Sequence, residues 1–259
     1  MNPMAYVRRA GSEFLSAVQF LTRVPLPSQP YAADSLARSV KFFPLVGMAV
    51  GAGAALLHML LAPHLPRSVA ALLVLLYLVF VTGGLHEDGL ADTADGFGGG
   101  TNREQILRIL RDSRIGSYGG IALAFSLVGR LVLIASLPLA QVSYYLIAAH
   151  VLCEWTTLPL SYFLVSARNS DAQPIDGQGA RIARLTSLGT LIGGTVFSFS
   201  VVAFLLKTHA IAPLFSAIAL TGITGLYYKS RIGGVTGDCF GATNQLSEIG
   251  VYLCGAWTP

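Results

Sequence analysis

Six apolar stretches divide this chain: 39–62, 68–84, 118–138, 142–165, 186–206 and 210–228. Each is close to the ~20 residues that a helix needs to cross ~30 Å of hydrocarbon. They account for a composition that is 53% apolar and only 12% charged, against roughly 25% charged in soluble domains. The sequence therefore predicts an all-α, polytopic integral membrane bundle of about six to seven transmembrane helices in a lipid bilayer. No internal repeat or low-complexity linker divides it, so residues 1–259 are read as a single membrane domain. A seventh apolar run, 246–257, is short and contains Glu248; it reads as a partial or truncated span.

Charge sets the orientation. With residue 1 in the cytoplasm, the cytoplasmic segments are 1–38, 85–117, 166–185 and 229–245. Those segments and their borders hold every one of the 17 Lys and Arg residues except Arg67, Arg130 and Lys207. That asymmetry is the positive-inside pattern. Every acidic residue except Glu154 falls on the same side, so the chemistry is expected to face the cytoplasm. In the lead-in 1–38 no apolar region runs into a small-residue cleavage site, and no cleaved signal peptide is expected. Segment 13–27 reads as an amphipathic helix on the membrane surface, with a plain cytoplasmic lead-in as the alternative. Cys153, Cys239 and Cys254 are odd in number and unpaired in spacing, which suggests neither a disulfide framework nor a zinc site.

The loop 85–117 carries the densest chemistry. Glu87, Asp88, Asp92 and Asp95 fall close together in a chain with only 13 acidic residues. On a helix, Asp88, Asp92 and Asp95 stand at i, i+4 and i+7, within about 60° of one another. Glu87 lies at the edge of that stripe. Clustered carboxylates repel unless a cation bridges them. Oxygen-only donors favour Mg²⁺, with Mn²⁺ as the alternative, held by one or two carboxylates plus phosphate oxygens. The bland reading is a solvated acidic turn. Residues 102–114 complete this loop as an interfacial amphipathic helix, with Ile106, Leu107 and Leu110 opposite Arg103, Arg108 and Arg111.

Basic and glycine-rich segments flank the cluster. Arg111 and Arg114 share a helix face and read as a diphosphate clamp or as membrane anchors. Ser117 is placed to cap the following helix, whose free amides favour anions. In the second catalytic loop, 229–248, Asp238, Gly241, Gln245 and Glu248 form another polar stripe. Asp238 or Glu248 would add a metal ligand or a general base, and Lys229 and Arg231 would neutralise phosphate charge. Arg130, His150 and Glu154 lie within spans, where ionisable groups are functional suspects. His150 and Glu154 stand at i, i+4 and are expected to pair with each other or with Arg130.

Five segments resemble one known family in order: Phe20-Leu21-Thr22-Arg23-Val24-Pro25-Leu26-Pro27, Phe43-Pro44-Leu45-Val46-Gly47, Gly83 to Gly96, Arg111 to Gly119, and Gly233 to Ala242. The family is adenosylcobinamide-GDP ribazoletransferase, also called cobalamin synthase. The resemblance implies an Mg²⁺-dependent enzyme of the bacterial inner membrane that acts in the last steps of vitamin B12 assembly. It would join adenosylcobinamide-GDP to α-ribazole or α-ribazole 5′-phosphate and release GMP. By position, Asp88, Asp92, Asp95 and Asp238 would hold metal and diphosphate, with Glu87 ranked below them. Asp238 or Asp95 would take the proton of the attacking hydroxyl. The chain departs from the family at Cys153-Glu154, where relatives carry Ser-Arg. A homo-oligomer or a complex with other B12-assembly enzymes fits such a role; a nucleic-acid partner is not expected. The rival readings are another aspartate-rich membrane transferase, of the CDP-alcohol phosphotransferase or prenyltransferase kind, and a transporter built on Arg130, His150 and Glu154.

Overall fold

A computed structural model describes residues 3–26, 35–112, 114–168 and 186–257. Most of the expected connection 166–185 lies outside the described residues. The rest is helical: α1 Pro3–Leu21, α2 Ser35–Ser39, α3 Phe43–Leu61, α4 Arg67–Thr82, α5 Leu85–Gly99, α6 Arg103–Ile109, α7 Ser117–Ser136, α8 Val142–Trp155, α9 Thr157–Phe163, α10 Leu188–Leu206, α11 Ile211–Ile232 and α12 Gly237–Ala256. The six apolar stretches correspond to α3, α4, α7, α8 with α9, α10, and α11. Among the described residues, three continuous helical stretches are long and apolar enough to cross a membrane: Leu36–Leu61, Ser117–Ser136 and Leu188–Ile232. A fourth is added if α4 and α5, bent by 85°, form one broken span. The chain is an all-α, multi-pass membrane bundle.

Local chemistry sets the breaks that matter. Gly83 and Gly84 have φ of +67° and +70°, a left-handed conformation that glycine adopts without steric cost. Two such residues in succession end α4 and swing α5 aside, so the acidic helix leaves the axis of the span before it. Gly233, at φ +75°, ends α11 in the same way and reverses the chain into α12. Asn102 caps α6 by accepting from the Gln105 amide at 3.0 Å, and Ser187 caps α10 by accepting from the Thr190 amide at 3.1 Å. Each satisfies an amide that the first helical turn leaves free.

α8 and α12 form the centre of the bundle, with most of their side chains buried. α3 lies along α8 at very close range. A Cβ on Gly51 would stand 2.7 Å from the Leu146 carbonyl oxygen, and one on Gly47 would overlap that of His150. Small residues permit this approach where no hydrophobic force drives helices together within lipid. Gly193 on α10 has open space instead.

Two expectations change. The amphipathic segment 13–27 is part of a helix that starts at Pro3 and ends at Leu21. Part of its apolar face packs on protein: Phe14 meets Phe42 edge-on and Phe20 stacks on Phe43. Glu13 is buried under it and binds Lys41 at 2.7 Å, Arg9 at 3.1 Å and Arg38 at 3.2 Å. Burial alone would raise its pKa, but the hydrogen bonds from Lys41 and Arg9 more than offset that and hold it below the ordinary glutamate value. The run 246–257 is the second half of a full-length helix, α12. Thr243, Asn244, Gln245, Ser247 and Glu248 are all buried there. Their polarity conceals the helix from a hydropathy reading, because it faces other polar groups rather than lipid.

Candidate active site

The two acidic segments meet where α5 crosses α12. A Cβ on Gly89 would lie 2.9 Å from the Asp238 carbonyl oxygen and 3.1 Å from the Gly241 Cα; one on Gly241 would lie 3.2 Å from the Gly89 Cα. Backbone rests on backbone at this crossing. The contact brings Asp88 and Asp92 of α5 toward Asp238 in the first turn of α12. Asp92 is half-buried and Asp88 exposed. Burial, and then repulsion from Asp88, Asp238 and Asp95, pushes the Asp92 carboxyl up to about 7. Arg168 is the cation that opposes this rise. Its guanidinium donates to Asp238 Oδ2 at 3.2 Å and to the Leu110 carbonyl at 3.4 Å.

Arg168 reaches the site because two chain segments are stapled together. Val235 donates to the Val165 carbonyl at 2.9 Å, and Ala167 donates to the Val235 carbonyl at 3.0 Å. Arg103 of α6 ties both ends, donating to Ile232 O at 2.9 Å and Ala167 O at 2.7 Å. Sequence reasoning counted Arg168 only as cytoplasmic charge and Arg103 as part of the polar face of an interfacial helix. The remaining signal was that Arg168 directly follows the fourth apolar stretch, at the membrane edge that carries the acids.

Comparison with known proteins identifies the family of the chain. Residues 13–256 match the cobalamin-5-phosphate synthase family. The chain belongs to that family. It is a transferase of cobalamin assembly. Among its relatives, each named adenosylcobinamide-GDP ribazoletransferase, the protein of Polaromonas sp. is 37% identical over 98% of both chains. That of Azorhizobium caulinodans is 42% identical over 93% of both chains. That of Shewanella frigidimarina is 39% identical over 93% of this chain and 92% of its own. No solved structure matches the chain.

The other residues singled out in this synthase-family chain are placed differently from expectation. Asp95 is turned to α7, where its carboxylate accepts from the Gly116 amide at 2.7 Å and the Gly119 amide at 2.9 Å. It caps α7 from another helix and takes the role expected of Ser117, which is exposed and makes no capping bond. Asp95→Ala is expected to destabilise the protein by about 1–2 kcal/mol, seen as a lower Tm in detergent. A Tm equal to that of the unmodified protein would remove the capping role.

Glu87 and Glu248 face away from the aspartates. Both are buried and bind Arg130, at 2.6 Å and 3.1 Å. Gln245 joins them, accepting from the Ser126 hydroxyl at 2.8 Å. His150 and Glu154 do not pair with each other. His150 Nε2 lies 3.7 Å from Glu248, and Glu154 lies 3.4 Å from His86 Nε2.

The expected phosphate clamp is also dispersed. Arg114 is bound to Asp112 at 2.6 Å on the exposed surface; its hydrogen bond pulls the Asp112 carboxyl down to about 2. Arg111 is exposed. Arg231 donates to the Gly100 carbonyl at 3.0 Å and to the Tyr227 hydroxyl at 3.2 Å. Lys229 edges an apolar groove of about 660 Å³ lined by Trp155, Phe163, Phe199 and Leu226. Among the described residues, no three His, Cys, Asp or Glu side chains are grouped closely enough to hold one metal ion by themselves. The donors that do converge are carboxylate oxygens, which suit a hard divalent cation completed by phosphate oxygens.

Proposed function

We propose that this chain joins adenosylcobinamide-GDP to α-ribazole, or to α-ribazole 5′-phosphate, and releases GMP at the cytoplasmic face of a bacterial inner membrane. The observation that carries this reading is the α5–α12 crossing, where Asp88, Asp92 and Asp238 converge beside Arg168. One or two of Asp88, Asp92 and Asp238 would hold Mg²⁺, or Mn²⁺ in its place, with the rest of its ligands taken from substrate phosphate. Bound there, the ion would neutralise the charge of the diphosphate.

The side chains supply the remaining parts. Arg168 presents guanidinium donors beside Asp238, suited to grip phosphate oxygens. In the transfer, a ribose hydroxyl oxygen that is free in both ribazole forms bonds to the phosphorus that bears cobinamide, and the bond from that phosphorus to the GMP oxygen breaks. The hydroxyl proton passes to a carboxylate. Asp238 suits that role better than Asp95, whose two oxygens already accept amides of α7. α5 holds its aspartates rigidly because its neighbour touches it through bare backbone, and preorganised charge is what lowers a barrier of this kind.

The test is GMP release from adenosylcobinamide-GDP by the detergent-purified protein, with and without α-ribazole and with and without Mg²⁺. Release that needs both is the expected result. Release that persists in EDTA would overturn the metal reading. No release under any divalent ion, from protein shown to be folded, would overturn the transferase reading.

A further inference from the structure

Arg130 is the most deeply buried cation of the described residues, only 1% exposed, in the middle of α7. Its Nη2 lies 2.6 Å from Glu87 Oε1 and its Nη1 lies 3.1 Å from Glu248 Oε2. Glu87 immediately precedes Asp88 on α5. Glu248 lies on α12, the helix that carries Asp238. One guanidinium thus links the two helices that bear the candidate catalytic aspartates.

Other contacts reinforce the link. Gln245 Nε2 stands 3.5 Å from the same Glu87 oxygen and 3.4 Å from the same Glu248 oxygen. Ser126, one turn before Arg130, donates to Gln245. At its other end α7 is capped by Asp95 of α5. Helix α7 therefore holds α5 at two points, Glu87 and Asp95, and α12 at Gln245 and Glu248. A buried ion pair is costly compared with an apolar residue of similar volume, so its presence between these two helices points to a geometric task. Arginine suits that task because its planar fork reaches two carboxylates in fixed directions, which the single ammonium of lysine does not.

We infer that Arg130 is a positioning residue for the transferase: through Glu87 and Glu248 it fixes the spacing and register of α5 against α12, and so the separation of Asp88 and Asp92 from Asp238. It touches neither substrate nor metal. The inference rests on the aspartate site proposed above and deepens it.

The experiment compares Arg130→Lys and Arg130→Gln with the unmodified protein in two readouts. The first is GMP release as a function of Mg²⁺ concentration. The second is the distance between spin labels at Thr101, just past α5, and Leu253 on α12, in a Cys254→Ser background. Arg130→Lys is expected to fold, to broaden the distance distribution and to raise the half-saturating Mg²⁺ concentration about tenfold. Arg130→Gln is expected to go further in both. The unmodified distance distribution and Mg²⁺ dependence in Arg130→Lys would overturn the inference, whether or not Arg130→Gln folds, because the residue would then serve stability alone. If even the unmodified protein ignores Mg²⁺ while the variants still broaden the distance, the strut stands and the metal reading falls.

Discussion

Asp92→Asn is expected to lower kcat/KM for GMP release by about 10²–10³-fold, the scale seen when one electrostatic contact to a developing charge is removed. It is also expected to leave the Tm unchanged or raised in metal-free buffer. Both outcomes follow from one observation. Burial and the neighbouring Asp88, Asp238 and Asp95 push the Asp92 carboxyl up to about 7. Asparagine keeps its shape and removes its charge, which relieves the repulsion. It also removes the charge that a metal–diphosphate complex needs. Added Mg²⁺ should therefore raise the Tm of the unmodified protein more than that of the variant, since a ligand stabilises only the state that binds it. Activity within tenfold of normal would show that Asp92 lies outside the reaction. A large Tm loss without metal would show that it is part of the scaffold.

Asp95 makes the contrast useful. It sits on the same sequence stripe as Asp88 and Asp92, and periodicity places all three on one side of α5. Periodicity does not say which neighbour that side meets along its length. At Asp88 and Asp92 it meets the start of α12; one turn on, it meets the free amides of α7. A helical wheel holds no information about that second partner, which lies 21 and 24 residues away. The same limit applies to Glu87 and Glu248, which are acidic residues on the right helices but committed to a buried arginine from a third.

The helices of the six apolar stretches were legible because apolar runs of that length have few alternatives in lipid. α12 was half legible: its buried polar residues lower its hydropathy, and only the structure shows the partners of Thr243, Gln245 and Glu248. Arg168 was not legible as a site residue. Its position depends on a short parallel bridge between Ser166 and Val235 and on Arg103 holding both segments, contacts far apart in the chain. Lys229 and Arg231 looked better placed, being close in sequence to Asp238. The left-handed turn at Gly233 separates them from it, and leaves Lys229 at an apolar groove and Arg231 on the end of α5.

Gly47→Ala is expected to lower the Tm in detergent by about 5–10 °C, from an overpacking cost of about 1–3 kcal/mol. A new Cβ would overlap the His150 carbonyl oxygen and press on Glu154 Cγ at 2.8 Å. The obstacle is mostly backbone, which cannot rotate aside, so α3 and α8 must part. Gly51→Ala, one turn on, meets the Leu146 carbonyl at 2.7 Å and the Ile147 Cα at 2.8 Å, and the double variant should be worse than either. Gly193→Ala is the control: nothing lies within 4 Å of its would-be Cβ, and alanine favours a helix by up to about 1 kcal/mol, so its Tm should hold or rise. The damage at Gly47 should also reach the active site. Helix α8 carries Glu154, which lies 3.4 Å from His86 Nε2 on α5, and His86 backbone atoms lie within 3.3 Å of the Gly241 would-be Cβ at the α5–α12 crossing. The Glu154–His86 pair is the contact through which a shift of α8 is expected to reach the aspartates. Gly47→Ala with the Tm of Gly193→Ala would mean that α3 and α8 are not locked as described; a lowered Tm with normal kcat at low temperature would mean that the lock stabilises the bundle without tuning its chemistry.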